Sequence, residues 1–204
     1  MKGRMMKTNT RSSLRYIVKV GVLSAMAAVL MLLEFPLPIA PSFYELDFSE
    51  VVVLIGSFSL GPLAGILIEL IKILVNLLIN GTDTFFVGEL ANFLMGCSFV
   101  LPAALVYYRK KTLKRAIVGM AVGTLSLVLV GAFCNYFLMI PAYVHLAGYP
   151  MDAIIGMGAA VNPAIKDLLT LIIIAVIPFN LIKGVLCSLL TGLLYKRVSH
   201  LLHK

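Results

Sequence analysis

Charged residues are scarce in this sequence. Asp, Glu, Lys and Arg make up 13% of its 204 residues, whereas hydrophobic residues make up 61%. Soluble domains carry about 25% charged residues. So little charge over so much apolar sequence excludes an ordinary soluble domain and predicts an all-α integral membrane protein.

The sequence also lacks the motifs of common catalytic and metal sites. Its three cysteines, Cys97, Cys134 and Cys187, lie in apolar runs without a CxxC pair or a nearby histidine. Packing is therefore their expected role, and neither a disulfide nor a metal site is predicted. No GxxxxGK[ST], HExxH or GxSxG motif occurs. Hydrolysis of ATP through a P-loop is thereby excluded, and no catalytic residue is assigned.

The net charge of +8 is explained by where the basic residues lie. Of the 17 Lys and Arg residues, 14 fall in residues 1–19, 109–115 or 196–204. Basic residues concentrate in the cytoplasmic segments of membrane proteins, so we expect all three segments in the cytoplasm. Residues 1–13 should form a basic cytoplasmic tail that lies against anionic membrane lipid. No nucleic-acid partner is predicted.

The apolar runs between these segments predict six transmembrane helices in a single membrane domain, residues 1–204, with both termini cytoplasmic. The predicted helices cover about 14–33, 51–60, 63–79, 86–108, 116–140 and 165–195. The second run is short for a span, so a re-entrant hairpin is the alternative. Acids before it and Asp83 after the third helix favour two crossings that turn at Gly61-Pro62. Pro141 is expected to end the fifth helix, before a loop of more than twenty residues.

Residues 34–50 are predicted to form a long loop outside the cell. This segment contains three prolines and four acids, so it cannot continue the first helix. Its length is unusual for a connection in a helical bundle and favours a substrate-capping loop over a passive linker. Its aromatic residues, Tyr44 among them, are either interfacial anchors or stacking platforms.

Several polar side chains recur at helical spacing inside the apolar runs. Glu69, Lys72, Asn76 and Asn80 follow one another at three- and four-residue steps. They therefore share one helix face, which should point inward because a charge in hydrocarbon costs roughly 3 kcal/mol. Glu69 and Lys72 are expected to neutralise each other. Glu89 and Asn92 repeat the spacing on the next helix, where they either cap the helix or bind a polyol.

Polar residues on the last two helices suggest a binding site for a small molecule. Asn180 and Lys183 share a helix face, and Lys183 either pairs with a carboxylate such as Glu89 or Glu69 or donates to a ligand carbonyl. Asn135 offers an amide that is both donor and acceptor, which suits a ring edge of the same kind. A hydrogen bond between helices is the alternative for Asn135.

Four sequence blocks, in this order, carry a resemblance to a known family. They are FPLPIAPSFYELDFSEVVVLIGSFSLGPLAGILIELIK, VGELANFLMGCSFVLPAALVYYRKK, GAFCNYF and PFNLIKG. With them the chain resembles the substrate-binding S components of energy-coupling factor (ECF) vitamin transporters, and among these the riboflavin-specific members. The resemblance covers most of residues 21–195, and little of it lies in residues 1–13 and 143–161.

The resemblance implies a non-catalytic subunit of the bacterial plasma membrane that binds riboflavin near the outer face, with FMN as a second candidate ligand. It implies as partners a transmembrane coupling subunit and two ABC ATPases. The candidate substrate-binding residues are Asn135, Asn180, Lys183, Glu89, Asn92, Tyr44 and Leu46. The implied contacts with the coupling subunit are the small residues Gly21, Ala25 and Ala28 of the first helix, since small residues let another helix approach closely.

Riboflavin suits the side chains present, although the resemblance alone selects it. Its pyrimidine edge carries an N–H between two carbonyls, which amide and ammonium groups can match, and its ribityl hydroxyls need polar partners. One alternative is an S component for another vitamin or heterocycle. Another is an intramembrane enzyme that uses Glu69, Glu89 and Lys183 as acid and base groups. A third is a structural membrane scaffold.

Overall fold

In the computed structural model the chain is almost entirely helical over the residues that the structure describes, 5–82 and 84–202. Asp83, which helps to orient the predicted third helix, and part of the basic tail, residues 1–4, lie outside them. The elements are α1 (Met5–Met31), β1 (Phe35–Pro36), β2 (Glu45–Leu46), α2 (Ser49–Leu60), α3 (Pro62–Asn80), α4 (Val87–Arg109), α5 (Leu113–Cys134), α6 (Ile140–His145), α7 (Met151–Val161), α8 (Leu168–Leu171) and α9 (Ile177–Leu202). Two π-helical segments, Asn135–Met139 and Ile172–Val176, join α5 to α6 and α8 to α9.

Within the described part of the chain, five helical stretches are long and apolar enough to cross a membrane. They are Ser13–Met31, Pro62–Asn80, Val87–Arg109, Leu113–His145 and Leu168–Tyr195. The apolar helix α2 has only 12 residues, so the sixth span and the cytoplasmic position of both termini remain predictions. The first helix begins at Met5, earlier than predicted, and so takes up part of the expected basic tail.

The turn between α2 and α3 lies where the sequence predicts it. Gly61 has φ of +115°, which favours glycine, and its N–H donates to the Ser57 carbonyl over 2.9 Å. Pro62 follows as the first residue of α3, where a helix needs no N–H. The two helices therefore run back along each other, and α3 brings Glu69 and Lys72 beside the start of α2.

The expectation that Pro141 ends the fifth helix is wrong. The helix passes through the π-helical segment Asn135–Met139 and continues as α6 to His145. Pro141 lies in the first turn of α6, where the widened backbone before it accommodates the missing N–H. The loop expected beyond it also contains a further helix, α7.

The outer loop between α1 and α2 folds back on itself as a small antiparallel ladder. Phe35 pairs with Leu46 and Pro36 with Glu45. Leu46 is buried and packs in an apolar cluster with Ile140, Phe179 and other residues of the last helices. The loop is thereby held over one end of the bundle, as a cap.

Candidate functional site

Tyr44 points from the outer loop into the bundle. Its hydroxyl donates to Asn135 Oδ1 over 2.8 Å, and its ring centroid lies 5.4 Å from that of Phe179. Burial raises the pKa of Tyr44 above its ordinary range, and Tyr143 adds to the shift. The hydroxyl therefore stays protonated and remains a donor. Tyr44 therefore contacts side chains of the bundle, and its role in a ligand site stays a prediction.

Asn135 and Asn180, from neighbouring helices, meet at Gly131. Asn135 Nδ2 donates to the Gly131 carbonyl over 2.9 Å, and Asn180 Nδ2 donates to the Val176 carbonyl over 3.0 Å. A Cβ on Gly131 would lie 2.7 Å from Asn180 Nδ2, too close for an unchanged side chain. The absence of a Cβ at Gly131 leaves room for the buried amide of Asn180, a role that the sequence pattern does not mark.

Lys183 is paired, but with neither of the carboxylates proposed from the sequence. Its Nζ lies 2.8 Å from Asp47 Oδ2, in place of Glu89 or Glu69. The reason is the outer loop, which brings Asp47 over α9 at the point where α2 begins. Asp47 was not predicted as a site residue, because nothing local links a loop acid to a helix so far along the chain.

Asp47 is fully engaged by hydrogen-bond donors. Oδ1 accepts from the Ser49 hydroxyl and from the Ser49 N–H, the latter over 2.8 Å, while Oδ2 accepts from Lys183. Burial alone would raise the pKa of Asp47, but the ammonium groups of Lys183 and Lys72 and these hydrogen bonds outweigh it. The net pKa lies below its ordinary value, so the carboxylate stays ionised.

Lys72 lies at the centre of a second buried cluster. Its Nζ is 2.7 Å from Glu69 Oε1, 2.9 Å from Glu50 Oε1 and 3.0 Å from the Ser49 hydroxyl. The predicted pairing of Glu69 with Lys72 is thus confirmed, and Glu50 is an addition that the sequence did not suggest. Glu69 fits against Gly96, since a Cβ there would overlap its carboxylate. The cluster connects α3 to the first turn of α2.

A small cavity lies between the two charged clusters and α4. Its lining residues are Glu50, Asn92, Met95, Gly96, Phe99, Leu127 and Lys183. Lys183 and Asn92 are therefore brought together at one cavity, as a shared ligand would require. Glu89 lies about one helical turn earlier in α4, where its Oε2 accepts hydrogen bonds from Thr82 over 3.2 Å and from Thr84 over 3.4 Å. Among the described residues no group of His, Cys, Asp and Glu is placed to hold a metal ion.

Glu34 and Glu45 place a carboxyl pair at the base of the outer loop. Burial raises the pKa of Glu34 to about 7, and the charges of Glu45 and Asp47 contribute to this rise against the opposing effect of Lys183. A hydrogen bond between Glu34 and Glu45 favours the protonated form of Glu34. Glu34 directly precedes β1 and Glu45 lies in β2, so the two carboxyls meet at the β1–β2 ladder.

The small residues of α1 divide between two faces. Gly21 and Ala25 are exposed, whereas Ala28 is only 2% exposed and packs within this chain's own bundle. The assignment of Ala28 to a partner surface therefore does not fit the structure. Exposed Val22 and Val29 lie near Gly21 and Ala25, so the outward face of α1 is apolar with small residues in it.

Comparisons with known proteins agree over nearly the whole chain. The family model described as "ECF transporter, substrate-specific component" matches residues 15–195. This range includes the outer loop, both charged clusters and the two amides at Gly131. The chain is 36% identical over 204 residues to the riboflavin transporter RibU of Staphylococcus aureus (strain TCH60), covering 100% of both chains. It is 34% identical over 186 residues to the riboflavin transporter FmnP of Bacillus subtilis (strain 168), covering 90% of this chain and 91% of that one.

A solved structure of the S component of a bacterial ECF transporter has the same fold. It superposes with a TM-score of 0.72 at 34% sequence identity and covers 94% of this chain and 99% of its own. Sequence and fold therefore point to the same family.

Proposed function

Since the chain belongs to the family of ECF transporter substrate-specific components, we propose that it is the riboflavin-binding S subunit of such a transporter. Components of this family are non-catalytic, and the ATPase activity lies with partner subunits. Glu69, Glu89 and Lys183 therefore do not serve as acid and base catalysts.

The main support for the ligand site is that three polar side chains converge beneath the outer loop, those of Tyr44, Asn135 and Asn180. An asparagine amide offers a donor and an acceptor side by side, as does the pyrimidine edge of riboflavin. We place this edge of the flavin at Asn135 and Asn180, with a carbonyl within reach of Lys183. Leu46 and its apolar neighbours would cover the ring from above.

The ribityl chain would extend toward α4. Asn92 borders the same cavity as Lys183, and Glu89 lies on the same face of α4 nearer the outer surface. The oxygens of an amide and of a carboxylate accept hydrogen bonds from hydroxyl groups and thereby orient them. These two residues are our candidates for the ribityl contacts.

In the membrane, the proposal places six spans in the bacterial plasma membrane with both termini in the cytoplasm. The basic segments 1–19, 109–115 and 196–204 then lie together on the cytoplasmic side. The exposed face of α1 around Gly21 and Ala25 would contact the transmembrane coupling subunit, which in turn would join two ABC ATPases.

Titration of the detergent-purified protein with riboflavin tests this function. Binding should quench flavin fluorescence saturably at one riboflavin per chain, and flavin absorbance should follow the protein through gel filtration. A parallel titration with FMN determines whether the phosphorylated form binds too. Absence of saturable riboflavin binding by folded protein, or tighter binding of an unrelated vitamin, would contradict the proposal.

A further inference from the structure

Lys72 touches neither the cavity nor the two amides of the proposed ligand site, yet it is tied to that site. It is 2% exposed and lies on α3, whereas the proposed contacts come from the outer loop, α4, the α5–α6 helix and α9. A role for Lys72 in ligand binding rests on the proposed function, because it concerns how the riboflavin site is held in place.

Hydrogen bonds connect Lys72 to Lys183 through two intermediate side chains. Lys72 Nζ donates to Ser49 Oγ over 3.0 Å, and Ser49 Oγ donates to Asp47 Oδ1. Asp47 Oδ2 accepts from Lys183 Nζ over 2.8 Å. The path runs from α3, across the first turn of α2, to the end of the outer loop and then to α9.

Lys72 is fixed at its end of this path. The two carboxylates of Glu50 and Glu69 hold its ammonium at 2.9 and 2.7 Å, and all three side chains are buried. With one ammonium between two acids, Lys72 cannot leave without exposing both carboxylates to an apolar interior, at a large cost in free energy. Its hydrogen bond therefore holds the Ser49 hydroxyl in a fixed position at the end of the outer loop.

Lys183 is the end of the path that borders the cavity. Its side chain is 11% exposed and borders the cavity, and its ammonium has three donors while Asp47 takes one. A lysine side chain has several rotatable bonds, so its position depends on the partner that holds it. That partner is Asp47, whose own orientation depends on Ser49.

We propose that Lys72 is a positioning residue for substrate binding. Acting through Ser49, it fixes the Asp47 carboxylate, which in turn holds the Lys183 ammonium at the proposed flavin site. The interaction of Lys72 with the ligand is indirect, and its effect passes through Lys183.

A double-mutant cycle on riboflavin dissociation separates this role from a general contribution to stability. Ser49→Ala removes only the hydroxyl in the middle of the path and leaves Lys72, Glu50 and Glu69 unchanged. It should raise the riboflavin dissociation rate about fivefold, less than the roughly 10- to 150-fold of a lost direct charge-assisted hydrogen bond, because the effect on the ligand is indirect. In a Lys183→Met background the same change should have less than about a twofold effect, since coupled residues do not act additively.

Ser57→Ala is the matched control. Ser57 is a buried serine on the same helix, but its hydroxyl donates to the Leu54 carbonyl of α2 itself. Its loss should leave the dissociation rate unchanged in both backgrounds. An equal effect of Ser49→Ala with and without Lys183 would overturn the inference, as would no effect of Ser49→Ala in an otherwise wild-type chain.

A second variant tests Lys72 directly without leaving a buried charge unpaired. Combining Lys72→Met with Glu50→Gln and Glu69→Gln replaces the ion cluster by neutral side chains of similar size. It should accelerate dissociation in the wild-type background and add nothing in the Lys183→Met background. If the wild type binds riboflavin and both the Ser49→Ala and the triple variant release it at the wild-type rate, the positioning role alone is refuted. If the wild type does not bind riboflavin, the proposed function itself is refuted.

Discussion

Lys183 donates to Asp47 Oδ2 over 2.8 Å, although the two residues are 136 positions apart in the sequence. The pair joins the end of the outer loop to α9. A lysine ammonium has three donors, so a ligand carbonyl can accept a second hydrogen bond while Asp47 keeps the first. The two alternatives predicted for Lys183, ion pair and ligand contact, are therefore compatible.

Lys183→Ala should weaken riboflavin binding by roughly 10- to 150-fold, the effect of losing a charge-assisted hydrogen bond. Fluorescence titration of the purified variant measures this. Lys166→Ala is the control, because Lys166 is an exposed lysine outside the long helices and should leave affinity unchanged. A folded Lys183→Ala variant with wild-type affinity would restrict Lys183 to its pairing with Asp47.

Gly131→Ala should weaken riboflavin binding by roughly 5- to 150-fold, since one or two buried hydrogen bonds are disturbed. The new methyl group would lie 2.7 Å from Asn180 Nδ2 and force the amide out of place. Gly156→Ala on α7 is the matched control, because nothing lies within 4 Å of its added Cβ. Similar affinity in both variants would show that the amide of Asn180 does not contact the ligand.

The folded protein should lose stability as the pH rises from about 4.5 to about 7, in part through Glu34. Its pKa is raised from 4.5 to about 7, so the folded state holds a proton that the unfolded chain releases. This contribution is complete below the unfolded pKa and is lost as the pH rises through about 7. Thermal unfolding in detergent across this range measures it.

Glu34→Gln should flatten that pH dependence, because a neutral amide cannot release a proton. Asp152→Asn replaces an exposed acid on α7 and should leave the slope as in the wild type. Identical slopes in the wild type and in Glu34→Gln would mean that Glu34 ionises freely in the folded state.

Cysteine labelling in whole cells tests the arrangement in the membrane. In a background without Cys97, Cys134 and Cys187, a cysteine at Lys110 should react only with a permeant reagent, whereas one at Asp152 should react with an impermeant one. Both positions are exposed in the structure. Reaction of both with the impermeant reagent would contradict six spans with cytoplasmic termini.

Ala25→Trp should abolish riboflavin uptake while leaving riboflavin binding intact. A bulky residue on the exposed face of α1 would hold a partner helix away, and the ligand site lies elsewhere in the bundle. Uptake by cells and co-purification of the coupling subunit are the measurements. Leu78→Trp is the control at an exposed position of α3, 85% exposed; equal loss of uptake in both variants would argue against a specific role for the α1 face.

Local sequence patterns predicted the features that depend on neighbouring residues. The Gly61-Pro62 turn and the Glu69–Lys72 pair both follow from spacing of a few residues, and the structure confirms them. The predicted partners of Lys183, Glu89 and Glu69, were wrong because the actual partner depends on how the outer loop folds over α9. The end of the fifth helix was wrong because a π-helical segment removes the usual effect of Pro141.

The two π-helical segments also determine where the chain can accept a change in its length. Each segment has more residues per turn than an α-helix. Each is followed by an Ile-Pro pair, at 140–141 and at 177–178. An α-helix rotates by about 100° per residue. Deleting a residue of the regular α-helix between Val176 and Asn180 would therefore swing Asn180 and Lys183 by about that angle around the axis of α9, away from the outer loop. A π-helical turn holds more residues than an α-helical turn, so a one-residue deletion within Ile172–Val176 would instead leave an α-helical turn and keep the orientation of the binding face.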